Sequence, residues 1–183
     1  MSEQIPILDR MVRAVEKVRE RLLRSTSALG DAGIPYAVVG GNAVAAWVAK
    51  VDEAAVRNTA DVDLLLNRID LDRARSALAG VGFHYVQTLN VDTFLDGADA
   101  NPRSALHVLF AGEKVKDHDL LPSPTLDESE PGEKFRLIGL TALVRMKLVS
   151  YRFKDRTHLL DLIGLGLVDA SWTNRLPIDN PES

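Results

Sequence analysis

The chain has 183 residues, with 22 Lys plus Arg against 26 Asp plus Glu and a formal net charge of −4 at pH 7. It contains no cysteine, which excludes disulfides, thiolate metal sites, iron–sulfur clusters and cysteine nucleophiles and suits a reducing cytoplasm. A hydrophobic share of 46% supplies the core of one domain, and no apolar run reaches the roughly 18 residues that a membrane span needs.

Residues 8–29 read as a helix, because Leu8, Met11, Val12, Val15, Val18, Leu22 and Leu29 recur mostly at three- and four-residue steps. Gly30, Gly33 and Pro35 end it. Residues 36–39 form a short apolar strand before Gly40-Gly41, and residues 42–50 are Ala-rich and helical. Residues 51–58 read as a helix extension or a loop. The run Asp61-Val62-Asp63-Leu64-Leu65-Leu66 is the second strand, and residues 70–78 form a helix with Asp70 as its cap. A third strand covers residues 83–88. A polar, turn-rich stretch around Asp96-Gly97 and Asn101-Pro102 leads to a fourth strand over residues 105–110. Residues 112–134 hold Pro122, Pro124 and Pro131 with Asp127, Glu128 and Glu130, and read as a mobile surface loop. From residue 137 the pattern is helical, with one helix through Tyr151, a polar link over residues 152–156 and a second helix over residues 157–167. The tail from Ser171 is polar and reads as frayed. The order of elements predicts a mixed α/β (α+β) sheet flanked by helices. Residues 1–136 form the core, residues 137–170 a helical C-terminal element and residues 171–183 a tail. The start, Met1-Ser2-Glu3-Gln4-Ile5-Pro6, lacks the basic and apolar blocks of a secretory signal. The acidic balance argues against electrostatic coating of nucleic acid, while local contact with a tRNA or a nucleotide stays open.

Three features in the first half carry chemistry. Gly40-Gly41 stands where a strand becomes a helix, where glycine lets an anion approach the free amides of the first helical turn. Alone, such a pair is more often a tight turn. Asp61-Val62-Asp63 places two carboxylates on one face of a strand, because side chains alternate. Two acids at the end of a buried strand call for a cation, and Mg²⁺ shared with substrate phosphates suits them. Arg57-Asn58-Thr59, just before, adds a cation suited to phosphate and a hydroxyl.

Together, Val39-Gly40-Gly41-Asn42-Ala43 and Asp61-Val62-Asp63 resemble the signature of the nucleotidyltransferase superfold, the polymerase-beta-like family. The form Arg57-x-Thr59-x-Asp61-Val62-Asp63 is most similar to the branch with abortive-infection and toxin–antitoxin nucleotidyltransferases. Leu143-Val144-Arg145-Met146-Lys147-Leu148 and the later Arg152, Lys154-Asp155 and Asp161-Leu162 resemble its helical Lys and Arg-Asp elements. The resemblance implies transfer of a nucleoside monophosphate from a nucleoside triphosphate (NTP) to a hydroxyl, with pyrophosphate leaving. The acceptor stays open among a protein side chain, a tRNA 3′ end and a small molecule. It also implies metal binding by Asp61 and Asp63, with Mg²⁺ or alternatively Mn²⁺, and nucleotide contacts from Gly40, Gly41, Asn42, Arg57 and Thr59. Lys147 would meet a phosphate or developing negative charge. A toxin role with a cognate antitoxin follows from the same branch, and a chain too short for a large acceptor-recognition domain is expected to use a partner or to form a homodimer.

The pattern departs from the family at three places. The strand over residues 105–110 carries His107 where a third carboxylate is expected, so His107 would be a ligand, a base or the mark of an inactive site. Asp92, Asp96, Asp99 and Glu113 are the nearby substitutes. Gly41-Asn42 replaces Gly-Ser or Gly-Thr, and His158 stands where an acid is expected. The rival reading is a catalytically degenerate nucleotide-binding or regulatory protein of the same fold. A structural interaction module without nucleotide affinity is a further alternative.

Overall fold

The computed structural model describes residues 6–89, 91–97 and 105–176. Among these residues, five α-helices and seven strands follow one another as α1 (Ile7–Asp31), β1 (Tyr36–Val39), α2 (Gly40–Ala49), β2 (Val62–Leu66), α3 (Leu71–Ala79), β3 (Phe83–Thr88), β4 (Val91–Asp96), β5 (Ala105–Phe110), β6 (Ser129–Pro131), β7 (Arg136–Ile138), α4 (Leu140–Ser150) and α5 (Phe153–Gly164). The strands form one mixed sheet in the order β3-β4-β5-β2-β1-β7-β6. The expected mixed α/β architecture is therefore the one that forms. Among the described residues no helix is long and apolar enough to cross a membrane.

β2 lies in the middle of the sheet, antiparallel to β1 and parallel to β5. A strand covered on both faces reads as a continuous apolar run, and Leu64, Leu65 and Leu66 are fully buried. Asp63 is the polar interruption, in register with Val39 on one side and His107 on the other. α1 packs against α3, β1 and β2, while α2 packs against β1, β2, α4 and α5. Burial along α1 begins at its middle: Arg21, Leu22, Ser25, Thr26 and Leu29 are buried, whereas Ile7, Leu8, Met11, Val12 and Val15 are exposed.

Several elements differ from the sequence reading. β4 lies in the stretch read as turn-rich. Its core-facing positions include Asp92, a buried carboxylate that accepts hydrogen bonds from Tyr85 and Gln87 and breaks the usual apolar alternation. β6 occupies part of the supposed loop, preceded by a 3-10 turn over Leu126–Glu128 that a capping box closes. β7 takes Leu137 and Ile138 out of the predicted helix and pairs with β1 across residue 38. α5 starts at Phe153 rather than residue 157, because Asp155 caps it by accepting from the Arg152 backbone N–H. Asp70 makes no such cap on α3; its carboxylate accepts from Arg73 at 2.8 Å instead. The start of the tail, read as frayed, forms a 3-10 turn, Ala170–Asn174, pinned by the buried Trp172, and residues 177–183 lie outside the described residues. Residues 51–58 form neither a helix extension nor a plain loop, but a single 3-10 turn, Glu53–Ala55, followed by irregular chain.

Candidate active site

The junction of β1 and α2 is an elbow. Gly40 holds φ +68°, a left-handed backbone that L side chains rarely adopt, and its carbon faces Asp63 directly. A Cβ at Gly40 would lie 1.9 Å from Asp63 Oδ2, and one at Gly41 would lie 2.9 Å from Thr59 Oγ1. Both glycines therefore exist to let the elbow close on the strand that carries the acids. Asn42, one turn into α2, donates from Nδ2 to the backbone oxygen of Asp61 at 2.7 Å and ties the same two segments.

Asp61 and Asp63 line one cleft of about 330 Å³ together with Gly40, His107 and Lys147. Their side chains keep 34% and 21% exposure, so neither is sealed in a salt link. Lys154 Nζ stands 3.8 Å from Asp61 Oδ2. His107 Nδ1 lies 3.5 Å from Asp63 Oδ1. That carboxylate raises the His107 imidazole above its ordinary value, against the opposing effect of partial burial; the charge of Asp61 adds to the rise.

α4 and α5 close the other wall. Lys147 is buried, and its ammonium donates to Asp155 Oδ1 at 2.9 Å. Lys147, expected to meet a phosphate or developing negative charge, is held in a buried ion pair with Asp155. Burial lowers the Lys147 ammonium from its usual value, against the hydrogen bond and charge of Asp155. Burial pushes the Asp155 carboxyl up, but hydrogen bonds from Arg152, Lys147 and Ser150 outweigh it and hold the carboxyl well below the ordinary range. Lys147 still reaches the cleft wall, as do Arg145, Arg152 and Lys154.

Three residues expected to contact nucleotide are engaged elsewhere. Arg57 donates from Nε to Asp161 Oδ2 at 2.8 Å and is absent from the cleft lining. Thr59 packs beneath Gly41. Asn42, likewise, spends its amide on the backbone of Asp61.

No family model matches the chain, and no curated protein does. Solved structures do. The solution structure of the antibiotic-resistance factor ANT(2'')-Ia is 13% identical over 91% of this chain and 93% of its own, with a TM-score of 0.52. Its crystal structure in complex with adenylyl-2''-tobramycin is 13% identical over 83% of this chain and 94% of its own, with a TM-score of 0.50. An antigenic nucleotidyltransferase-like protein from Paracoccidioides brasiliensis is 17% identical over 82% of this chain and 75% of its own, with a TM-score of 0.54. The chain has the nucleotidyltransferase fold.

Within this nucleotidyltransferase fold, the slot beside Asp63 on β5 belongs to His107, and among the described residues no neighbouring acid replaces it. Asp92 pairs with Val108 on β5, one residue out of step with the Thr93–His107 pair, and so faces the opposite side of the sheet. Asp96 is held by Arg21 and Arg24, and Glu113 by Arg68. Asp99 lies outside the described residues. Among the described residues no group of three or more His, Asp or Glu side chains is arranged to hold a metal ion. Two accessible carboxylates under a glycine elbow nevertheless fit a hard divalent ion that takes its remaining ligands from water and substrate phosphates. Lys116 is the cleft cation without a sequence signal, since it lies in the stretch read as a mobile loop, while Arg152 and Lys154, part of the stretch that carries the resemblance, reach the wall through the tight turn between α4 and α5.

Proposed function

We propose that the chain is a metal-dependent nucleotidyltransferase that moves a nucleoside monophosphate from an NTP to an acceptor hydroxyl. The observation that carries this reading is the contact between Gly40 and Asp63, with Asp61 opening onto the same cleft. The free amides at the start of α2 receive the triphosphate. Asp61 and Asp63 hold the divalent ion, Mg²⁺ or alternatively Mn²⁺, which when bound supplies charge neutralisation on the phosphates. Lys154 and Arg152 balance the charge of the incoming triphosphate from the opposite wall. The acceptor oxygen forms a bond to the α-phosphorus, the bond from that phosphorus to the bridging oxygen breaks, and pyrophosphate leaves with the electron pair. His107, beside Asp63, takes the proton of the acceptor hydroxyl.

The acceptor classes open to such a site are a protein, a tRNA and a small molecule. The cleft wall carries Lys116, Arg145, Lys147, Arg152 and Lys154, of which Arg145 is paired with Glu128 and Lys147 and Arg152 with Asp155, so the charge of the wall does not choose among the three. A toxin role in the cytoplasm, with a cognate antitoxin or a homodimer, is the further reading; it requires expression to arrest growth and Asp61→Ala with Asp63→Ala to relieve the arrest.

A second reading, a nucleotide-binding protein without turnover, is favoured by one feature: a histidine stands where the third acid is expected. Pyrophosphate release and calorimetric titration with the four ribonucleoside triphosphates separate the two. The enzyme reading expects release that needs Mg²⁺ or Mn²⁺ and falls by about a hundredfold or more in the Asp61→Ala/Asp63→Ala variant. Binding with no release at any acceptor would establish the second reading instead.

A further inference from the structure

The chain has five Phe, three Tyr and two Trp, and all but two of them are buried or half-buried. The exceptions, Tyr151 at 57% and Phe153 at 79% exposure, are two residues apart at the turn between α4 and α5. Arg152 and Lys154, which alternate with them in the chain, line the nucleotide cleft. Arg156, one turn on, sets its guanidinium 5.6 Å from the Tyr151 ring and 5.7 Å from the Phe153 ring. Tyr151 also holds φ +38°, at a helix end where glycine is the unstrained choice. A bulky residue kept in a costly backbone conformation with its ring in solvent is an observation that points to use. Of the five Lys and Arg in residues 145–158, Arg145 is paired with Glu128 and Lys147 and Arg152 with Asp155, which leaves Lys154 and Arg156 as the exposed cations beside the two rings.

From these features we propose that the Tyr151–Phe153 turn is the landing platform for a single-stranded nucleic acid, which enters the cleft by its end as the acceptor. Exposed rings stack on bases of any sequence, while flanking cations follow the phosphates. A polynucleotide end combines the three properties that the rim selects: flat unpaired rings, repeated negative charge and a terminal hydroxyl. RNA and DNA share that chemistry, so the strand type is an arm of the test. The proposal rests on the nucleotidyl-transfer reading of the cleft but concerns a surface outside it, since neither Tyr151 nor Phe153 lines the cavity.

Fluorescence anisotropy with 5′-labelled 12-nucleotide single strands of RNA and of DNA tests it without any turnover. The full chain should bind at least one of the two, with affinity that falls as salt rises. Phe153→Ala should weaken binding roughly tenfold and Tyr151→Ala/Phe153→Ala further. Arg156→Ala should weaken binding and flatten the salt dependence. Phe153→Ala alone guards against misfolding, since that side chain is the more exposed of the two, and its thermal melt should match that of the parent. The Asp61→Ala/Asp63→Ala variant should still bind the strand, so that loss of transfer and loss of the platform are read separately. The proposal is overturned if neither strand binds, if Phe153→Ala and the double variant bind as the parent does, or if a duplex of the same length binds equally well. It is also overturned if the same substitutions abolish binding to anionic lipid vesicles or to a protein partner while leaving oligonucleotide binding intact.

Discussion

A single methyl group decides whether the elbow can form. At residue 40 it would fall inside the van der Waals radius of Asp63 Oδ2, on a backbone with φ +68°. Either the acid or the turn must move. Gly40→Ala is therefore expected to cost about 1–3 kcal/mol of stability through backbone strain and to remove most NTP binding, because the displaced carboxylate is one of the two that open onto the cleft. Gly41→Ala meets the Thr59 side chain, with Oγ1 at 2.9 Å, Cβ at 3.0 Å and Cγ2 at 3.3 Å, but without a left-handed backbone, and should be the milder change. Chemical denaturation with calorimetric NTP titration on both variants checks the order. Equal effects at the two positions would break the assignment of Gly40 as the residue that lets the acid approach.

The hairpin of α4 and α5 is held by a buried charge. Asp155 is fully buried and receives Lys147, Ser150 and both the backbone and side chain of Arg152. Removing one partner of such a pair strands the other, at about 3–5 kcal/mol. Asp155→Asn should lower stability by that order in urea denaturation at pH 7. The pH dependence follows from the same cluster. Because the folded state holds the Asp155 carboxyl below its ordinary value, its stabilisation is complete above the unfolded value and is lost as pH falls below about 4. The parent should therefore lose stability between pH 5 and the acid limit more steeply than Asp155→Asn, and parallel curves for the two proteins would remove Asp155 as the source. The pair also fixes where Arg152 and Lys154 emerge, so weakening the hairpin should blunt the cationic wall of the cleft.

At the scale of the whole molecule, stability is graded from the centre of the sheet outward. β2 has strands on both sides, and Leu64, Leu65 and Leu66 are fully buried. The first two turns of α1 carry their apolar residues in solvent. Amide exchange should accordingly be slowest at residues 64–66, at the limit set by global unfolding, and fastest in α1 at residues 8–15. Protection of residues 8–15 equal to that of β2 would reveal a cover on that helix that the isolated chain does not supply.

Local chemistry was enough for much of this. The apolar run after Asp63 identified the central strand, the Gly40-Gly41 pair marked a strand-to-helix junction, and the alternation of Asp61 and Asp63 placed two acids on one face. Each of these depends only on residues within a few positions of one another. β4 and β7 escaped because their positions are set by pairing rather than by pattern. Asp92 looks like a turn residue until Tyr85 on β3 satisfies it, and Leu137 looks helical until β1 accepts it. The roles of Arg57 and Lys147 escaped for the same reason: a long cation's partner is chosen by folding, and here the partners are Asp161 and Asp155. What the amino-acid order determined alone was the strand with Asp63 on it and Asp61 just before it, and the glycine hinge that precedes both, because backbone sterics and side-chain alternation act locally. Only the tertiary structure decided that the hinge touches Asp63, that His107 stands beside it and that the cations of α4 and α5 face both, because register and burial are set between segments far apart in the chain.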